Sequence, residues 1–167
     1  PIGTGALNIN GGTLSSSTGV EREIGNNVNF TTSTLTFTGN TSMLDIFGAV
    51  ALGNTARTIN VETGAFLGLG GTISGDASVG LIKDGPGSAE LFGTNTFTGT
   101  TEVRDGILDL SGGNAINDSG AVDISSANGT LRLAGDSNSA AETIGSLTGV
   151  ANSSVSLIDD PGSPGTT

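Results

Sequence analysis

The feature that most constrains this chain is a short segment of alternating apolar residues that ends at an apolar position and recurs about every 22 residues. Successive equivalent positions are 19 to 24 residues apart, and apolar residues alternate with small or polar ones before each of them. This period is typical of a parallel β-solenoid, in which every turn repeats the strands of the turn before it. The clearest column of inward positions consists of Ile46, Leu69, Leu91, Leu110, Leu133 and Leu157.

Two further columns have nearly the same period, which predicts three short strands in each turn. The second column consists of Phe37, Val61, Leu81, Val103, Ile124 and Leu147. The weaker third column consists of Phe30, Leu52, Ile73, Phe97 and Ile116. No stretch sustains the apolar spacing of a helix without interruption by glycine or β-branched residues. The pattern therefore predicts an all-β fold, a three-sided parallel β-helix of about seven turns of roughly 22 residues.

The regular turns are expected over residues 28–158 of a single solenoid domain that spans residues 1–167. Residues 1–27 do not continue the columns at the expected spacing, which predicts an irregular first turn or a cap. Residues 159–167 are rich in Asp, Pro and Gly and are expected to form a linker or tail. Because the chain begins at Pro1 and has no initiator Met, it is expected to be a processed product or a fragment.

Composition and charge exclude several classes of function. Sixteen acids against five bases give a formal charge of −11, which argues against binding to nucleic acid or to an anionic membrane surface. The chain contains neither cysteine nor histidine, so it forms no disulfide and no Ser-His or Cys-His nucleophile. No apolar run is long enough to span a bilayer, which predicts no membrane insertion by this segment.

A corner motif that ends in glycine recurs four times along the chain. A corner of this kind needs a positive φ, so replacement by a β-branched residue is expected to be costly. The four predicted structural turn glycines, 21 to 23 residues apart, are Gly64, Gly85, Gly106 and Gly129.

Equivalent outward positions bring acidic residues together on neighbouring turns. Glu90 is expected to stack on Asp109, with Arg132 on the far side of Asp109, and Glu102 is expected to stack on Asp123. Stacked carboxylates would lie roughly 4.8 Å apart. A screened, solvated face is the favoured interpretation, while part of a Ca²⁺ site and a retaining glycosidase pair remain open.

The only lysine and the aromatic residues suggest structural roles. Lys83 and Asp105 are expected to meet across turns as an ion pair. The chain has no Trp or Tyr to form an exposed saccharide platform, and Phe47, Phe66 and Phe92 are expected to pack against loops. No catalytic, metal-ligating or cofactor-binding residue is predicted.

Residues 80–91 read G-L-I-K-D-G-P-G-S-A-E-L, and residues 95–103 and 105–110 continue with N-T-F-T-G-T-T-E-V and D-G-I-L-D-L. This run resembles the autotransporter-associated β-strand repeat of bacterial passenger domains. Ala89 stands in place of a usual Leu, and Phe97 in place of the commoner Tyr. The resemblance implies a right-handed parallel β-helix on the surface of a Gram-negative cell or released from it.

Together these observations lead us to expect a non-enzymatic, structural or adhesive segment of an exported bacterial surface protein, in an extracellular or cell-surface location. Such a segment would extend a distal head, mediate adhesion, or stack end to end into extracellular filaments. Its expected partners are other copies of the chain, or host or matrix glycans or proteins. The alternative is a polysaccharide-binding or polysaccharide-cleaving β-helix that depends on Glu90 and Asp109.

Overall fold

The computed structural model describes residues 3–16, 19–39, 43–135 and 141–159. In these ranges the chain forms short strands joined by turns and contains no helix. Glycine, Asn, Asp and Ser supply most of the corners, whereas the strands hold the alternating apolar residues. The strands are β1 (Leu7–Ile9), β2 (Thr13–Ser15), β3 (Arg22–Ile24), β4 (Val28–Phe30), β5 (Thr34–Thr38), β6 (Met43–Ile46), β7 (Val50–Ala51), β8 (Arg57–Val61), β9 (Phe66–Leu69), β10 (Ile73–Ser74), β11 (Leu81–Asp84), β12 (Ser88–Leu91), β13 (Thr101–Val103), β14 (Gly106–Leu110), β15 (Ala121–Ile124), β16 (Gly129–Gly135), β17 (Ser146–Gly149) and β18 (Ser154–Asp159).

The strands stack into three sheets in which neighbours are parallel. Sheet I has the order β1-β4-β7-β10, sheet II has β2-β5-β8-β11-β13-β15-β17, and sheet III has β3-β6-β9-β12-β14-β16-β18. Each strand inside a sheet thus pairs with its equivalents in the turns before and after it, and each edge strand pairs with one of them. The predicted all-β, three-sided parallel solenoid is confirmed, with about six turns of roughly 23 residues where about seven were expected.

Sheet III confirms the clearest predicted column at every step. The six predicted residues pair directly with one another, and Ile24 extends the column by one turn. Ile46, Leu69, Leu91 and Leu110 are fully buried. Full burial of such a side chain contributes roughly 1.5–3 kcal/mol, so this column is a main source of the fold's stability.

The second predicted column, in sheet II, is correct at only two of its five steps. The correct steps are Phe37 with Val61 and Val103 with Ile124. Leu81 and Leu147 are out of register by two or four residues, and the residue that lies between Ile59 and Val103 is Lys83. A slip by two residues keeps the same side chains facing inward, so alternation alone does not detect it.

The third predicted column is wrong at the step from Leu52 to Ile73, because Ile73 pairs with Val50. Sheet I also ends at β10 within the described residues, so Phe97 and Ile116 lie outside any strand. Both side chains are nevertheless buried in the core. The third face therefore continues past β10 without strand pairing.

In the described part of residues 1–27, where an irregular first turn or a cap was expected, the chain forms three strands. β1, β2 and β3 pair with β4, β5 and β6, and Leu14 for example lies opposite Phe37. At the other end β18 reaches Asp159. The expected linker or tail at residues 159–167 otherwise lies outside the described residues.

The inward side chains form one apolar core that runs along the stack. It is closed in the central turns and open at the last turn. There Leu147 is 44% exposed, Val155 45% and Leu157 80%, although all three lie in strands. The described residues thus present an apolar surface at the C-terminal end of the stack.

Candidate functional site

The first predicted acidic pair lies on the outward side of sheet III. Glu90 pairs with Asp109, and Asp109 pairs with Arg132 in the next turn. The Arg132 guanidinium donates two hydrogen bonds to the buried Asp109 carboxylate, and this contact raises the pKa of Arg132. The Ser111 hydroxyl donates to Glu90 at 2.7 Å. Each carboxylate therefore has its own donor one turn further along the stack.

The second acidic pair lies on sheet II, where Glu102 is opposite Asp123. The Arg104 guanidinium donates to both oxygens of Glu102 at 2.9 Å, and this hydrogen bonding lowers the pKa of Glu102. The hydroxyls of Ser125 and Thr148 donate to Glu102 and Asp123 at 2.7 and 2.8 Å. Both acids are thus occupied by neighbouring donors on the same sheet.

This arrangement determines what the acidic ladders can do chemically. A general acid needs a proton to give and a nucleophilic carboxylate needs a free oxygen, whereas Asp109 is buried against Arg132. In the part of the chain that the structure describes, no group of three or more Asp or Glu side chains is arranged to hold a metal ion. The observed contacts of both pairs are hydrogen bonds to donors on the same sheet.

The corner glycines fall into two kinds. Gly64, Gly85 and Gly106 have φ of +75°, +77° and +66°, as a left-handed corner requires. Gly129 differs from the expectation, because it has no positive φ and begins β16. A Cβ at Gly129 would approach the Val103 carbonyl oxygen to 2.8 Å, so its constraint is close backbone approach.

Lys83 is the main residue whose role sequence reasoning missed. It points into the core, is 1% exposed, and donates from Nζ to the carbonyl oxygens of Asp84, Gly85 and Asp105 at 3.0, 2.7 and 2.9 Å. Burial lowers the pKa of Lys83 to about 8, against the opposing effect of the Asp105 and Asp84 charges. The expected ion pair with Asp105 is therefore replaced by a contact with the Asp105 backbone. The sequence did contain a signal for this position: Lys83 is two residues after the inward Leu81 in the same strand, so both side chains point to the same side.

Two side chains add to the backbone hydrogen bonds that join the turns on the third face beyond β10. The Asn95 amide accepts from Ile73 N at 2.7 Å and donates to Ala115 O at 2.8 Å, so it joins three consecutive turns. The Glu142 carboxylate accepts from the backbone N–H groups of Ala115 and Ile116 at 3.0 and 2.7 Å. Burial raises the pKa of Glu142. No sequence pattern indicated these contacts.

The fold and these contacts define the chain as a parallel β-solenoid whose polar side chains mostly join one turn to the next. Residues 81–110 match the family model of the passenger-associated-transport-repeat. This range contains β11 to β14, and the match confirms the resemblance to the passenger repeat of autotransporters for these residues. No curated protein and no solved structure matches the chain significantly. In the described residues there is no helix with the length and apolar character of a bilayer span.

Proposed function

We propose that the chain is a non-enzymatic structural segment of an exported bacterial surface protein, which acts as a rigid spacer at or beyond the cell surface. The supporting observation is the unbroken register of sheet III, where six successive steps from Ile24 to Leu157 pair residue on residue. Such a stack lengthens by about 4.8 Å per turn and bends little, because every turn is hydrogen-bonded to its neighbours. The passenger repeat at residues 81–110 supports an exported protein as its setting.

A second candidate role is end-to-end association of copies into a filament. The apolar surface of Leu147, Val155 and Leu157 lies at the C-terminal end of the stack. At that end β17 and β18 have unpaired edges, and at the other end β2 and β3 of the same two sheets do so within the described residues. A second copy could therefore continue both sheets in parallel and cover the exposed side chains.

Electron microscopy and sedimentation velocity at rising concentration of the purified 167-residue chain test this association. We expect filaments of constant width in the unaltered chain and their loss in Leu157→Lys, because a charge would be buried in the contact. Ala77→Lys, which adds the same charge at an exposed position in the middle of the stack, is the control and should leave filaments intact. Particles that stay monomeric at the highest concentration would contradict filament formation, and only the spacer role would remain. Filaments unaffected by Leu157→Lys would refute end-to-end stacking through this surface.

The competing hypothesis, a polysaccharide-binding or polysaccharide-cleaving β-helix, is tested by incubation with a broad panel of polysaccharides. We expect no release of reducing ends and no retention on immobilised glycans. Release that disappears in Glu90→Gln, with Glu62→Gln active as before, would overturn the non-enzymatic role. Glu62 is an exposed carboxylate at the end of β8 and belongs to neither acidic pair.

A further inference from the structure

Two glycines on the outward side of sheet III leave space for side chains of the neighbouring turns. Gly68 lies opposite Asp45, and a Cβ at Gly68 would collide with the Asp45 carboxylate. A Cβ at Gly70 would collide with the ring of Phe92 and approach Phe47 to 3.1 Å. The missing side chains therefore leave room for three larger groups from the neighbouring turns.

Two phenylalanines in this space form an aromatic pair at the surface. Phe47 and Phe92, expected from the sequence to pack against loops, instead meet edge to face, with ring centroids 5.8 Å apart and planes at 76°. They can reach each other across an intervening turn because Gly70 has no side chain between them. Phe47 remains 49% exposed, although aromatic residues make up only 4% of the chain.

Carboxylates border the aromatic pair. Asp45 is 8% exposed, and the side chain that hydrogen-bonds to it belongs to another acid, Glu21. Burial, this hydrogen bond and the charges of Glu21, Glu90 and Glu23 together raise the pKa of Asp45 to about 6. Glu23 faces Asp45 from β3, and Glu90 faces it from β12 across Gly68. The charges that raise the pKa of Asp45 are those of Glu21, Glu90 and Glu23, so a cation placed here would relieve their repulsion.

We propose that the surface patch formed by Phe47, Phe92, Glu23, Asp45 and Glu90 binds a basic peptide segment of another protein. A Lys or Arg side chain fits both parts of it, because its apolar stem packs on a ring and its charge lies among carboxylates. A cation near an aromatic face gains roughly 0.5–1 kcal/mol at an exposed site and more when desolvated. The overall charge of −11 also steers basic partners toward the molecule. This binding role goes beyond the proposed spacer function.

Fluorescence anisotropy with labelled octa-arginine and octa-lysine peptides, at physiological salt and with the full chain, tests the proposal. Phe47→Thr removes the exposed ring, and the double variant Glu23→Gln/Glu90→Gln removes two charges from the patch. We expect each to raise the peptide Kd at least fivefold. The matched control, Glu62→Gln/Asp123→Asn, removes the same number of charges away from the patch and should raise Kd less than twofold.

The pH dependence of binding gives an independent readout. As pH falls through about 6, Asp45 gains a proton and the patch loses negative charge, so peptide affinity should fall. Asp45→Asn should lower affinity at pH 7.5 and reduce this dependence. Thermal melts of every variant establish that the fold is retained.

Three results would overturn the proposal. Equal losses in the patch and control double variants would mean general attraction of a polycation to an acidic protein. Peptide binding unchanged by Phe47→Thr would exclude the aromatic pair, and neutral oligosaccharides bound through Phe47 in the absence of peptide binding would make the patch a saccharide site.

Discussion

Lys83 holds two consecutive corners of the stack together through a single ammonium group. It bonds to carbonyl oxygens of Asp84 and Gly85 in its own turn and of Asp105 in the next. At both corners an aspartate also accepts from the following glycine N–H, Asp84 from Gly85 and Asp105 from Gly106, each at 2.9 Å. These neighbouring corners therefore form one hydrogen-bonded unit.

Lys83→Met should lower the free energy of unfolding by about 2 kcal/mol at pH 7, because buried carbonyls lose their donor. The loss should be larger at pH 10. Since the pKa of Lys83 is lowered to about 8 in the fold, the unfolded chain holds this proton to higher pH than the folded chain. The stability contributed by Lys83 therefore rises between about pH 8 and pH 10.5. Urea unfolding at both pH values measures this.

The control for Lys83 is Arg104→Met, which removes an exposed cation that pairs with Glu102. It should cost less than about 1 kcal/mol. Equal effects of the two variants, or a Lys83→Met protein as stable as the unaltered chain, would show that the three carbonyl contacts contribute little.

Gly106→Ala should lower the free energy of unfolding by more than about 2 kcal/mol, because it combines a left-handed φ of +66° with a collision of the new Cβ against the Gly87 backbone. Gly112→Ala is the matched control, since its φ is +86° but its nearest neighbour, Phe92 O, is 3.3 Å away. Thermal unfolding of both variants separates crowding from backbone strain. A similar loss in both would mean that crowding at Gly106 is unimportant.

On the third face, side-chain hydrogen bonds help to join the turns where strand pairing ends. Within the described residues sheet I pairs four strands and ends at β10. Beyond it the backbone remains hydrogen-bonded, from Thr96 N to Ile73 O at 2.9 Å and from Asn95 N to Asn114 O at 3.0 Å. Asn95 bridges the turns on either side, and Glu142 satisfies two N–H groups that would otherwise bond to a following strand. The core stays closed here, with Phe97 1% exposed.

Asn95→Leu should lower the free energy of unfolding by about 2 kcal/mol, since it leaves the Ile73 N–H and the Ala115 carbonyl without partners in a buried site. Hydrogen exchange should show the Ile73 amide losing protection while Leu69, in sheet III, keeps it. Asn114→Leu, at an exposed neighbouring position, serves as the control. Unchanged exchange at Ile73 would contradict the bridging role of Asn95.

At the scale of the whole molecule, negative charge opposes compactness. The formal charge is −11, and the most strongly affected carboxyl, Asp45, is buried among other acids, which raises its pKa to about 6. A folded-state pKa above the ordinary value of 3.8 means that the folded chain binds this proton more tightly than the unfolded chain does. The resulting stability is fully present below about pH 4 and is lost as pH rises through 6.

Asp45→Asn should therefore raise the free energy of unfolding at pH 7 by about 2 kcal/mol and flatten its decline between pH 4 and pH 7. Denaturant unfolding at pH 4.0, 5.5 and 7.0 measures this effect. Asp76→Asn removes an exposed carboxylate and the same unit of charge, so it isolates the effect of burial. Parallel pH profiles for the two variants would attribute the dependence to net charge alone.

The sequence by itself determined the parallel stack and one complete register. Alternating apolar residues at a repeated spacing can all be buried only if equivalent strands lie on one another, which is why the column from Ile46 to Leu157 was predictable. Register places Glu90 on Asp109 and Glu102 on Asp123 as well. The left-handed corners at Gly85 and Gly106 followed from the need for a residue without a Cβ.

Only the tertiary structure decided the register of sheet II, the third face and the surface patch. A slip by two residues preserves which side chains point inward, so the position of Lys83 depended on carbonyl groups that become available only when two turns are packed. The contacts of Asn95 with Ile73 and Ala115 bridge 22 and 20 residues of sequence. Groups so far apart in the chain meet because the solenoid returns to the same face once per turn, and their pairing depends on geometry that no local pattern encodes.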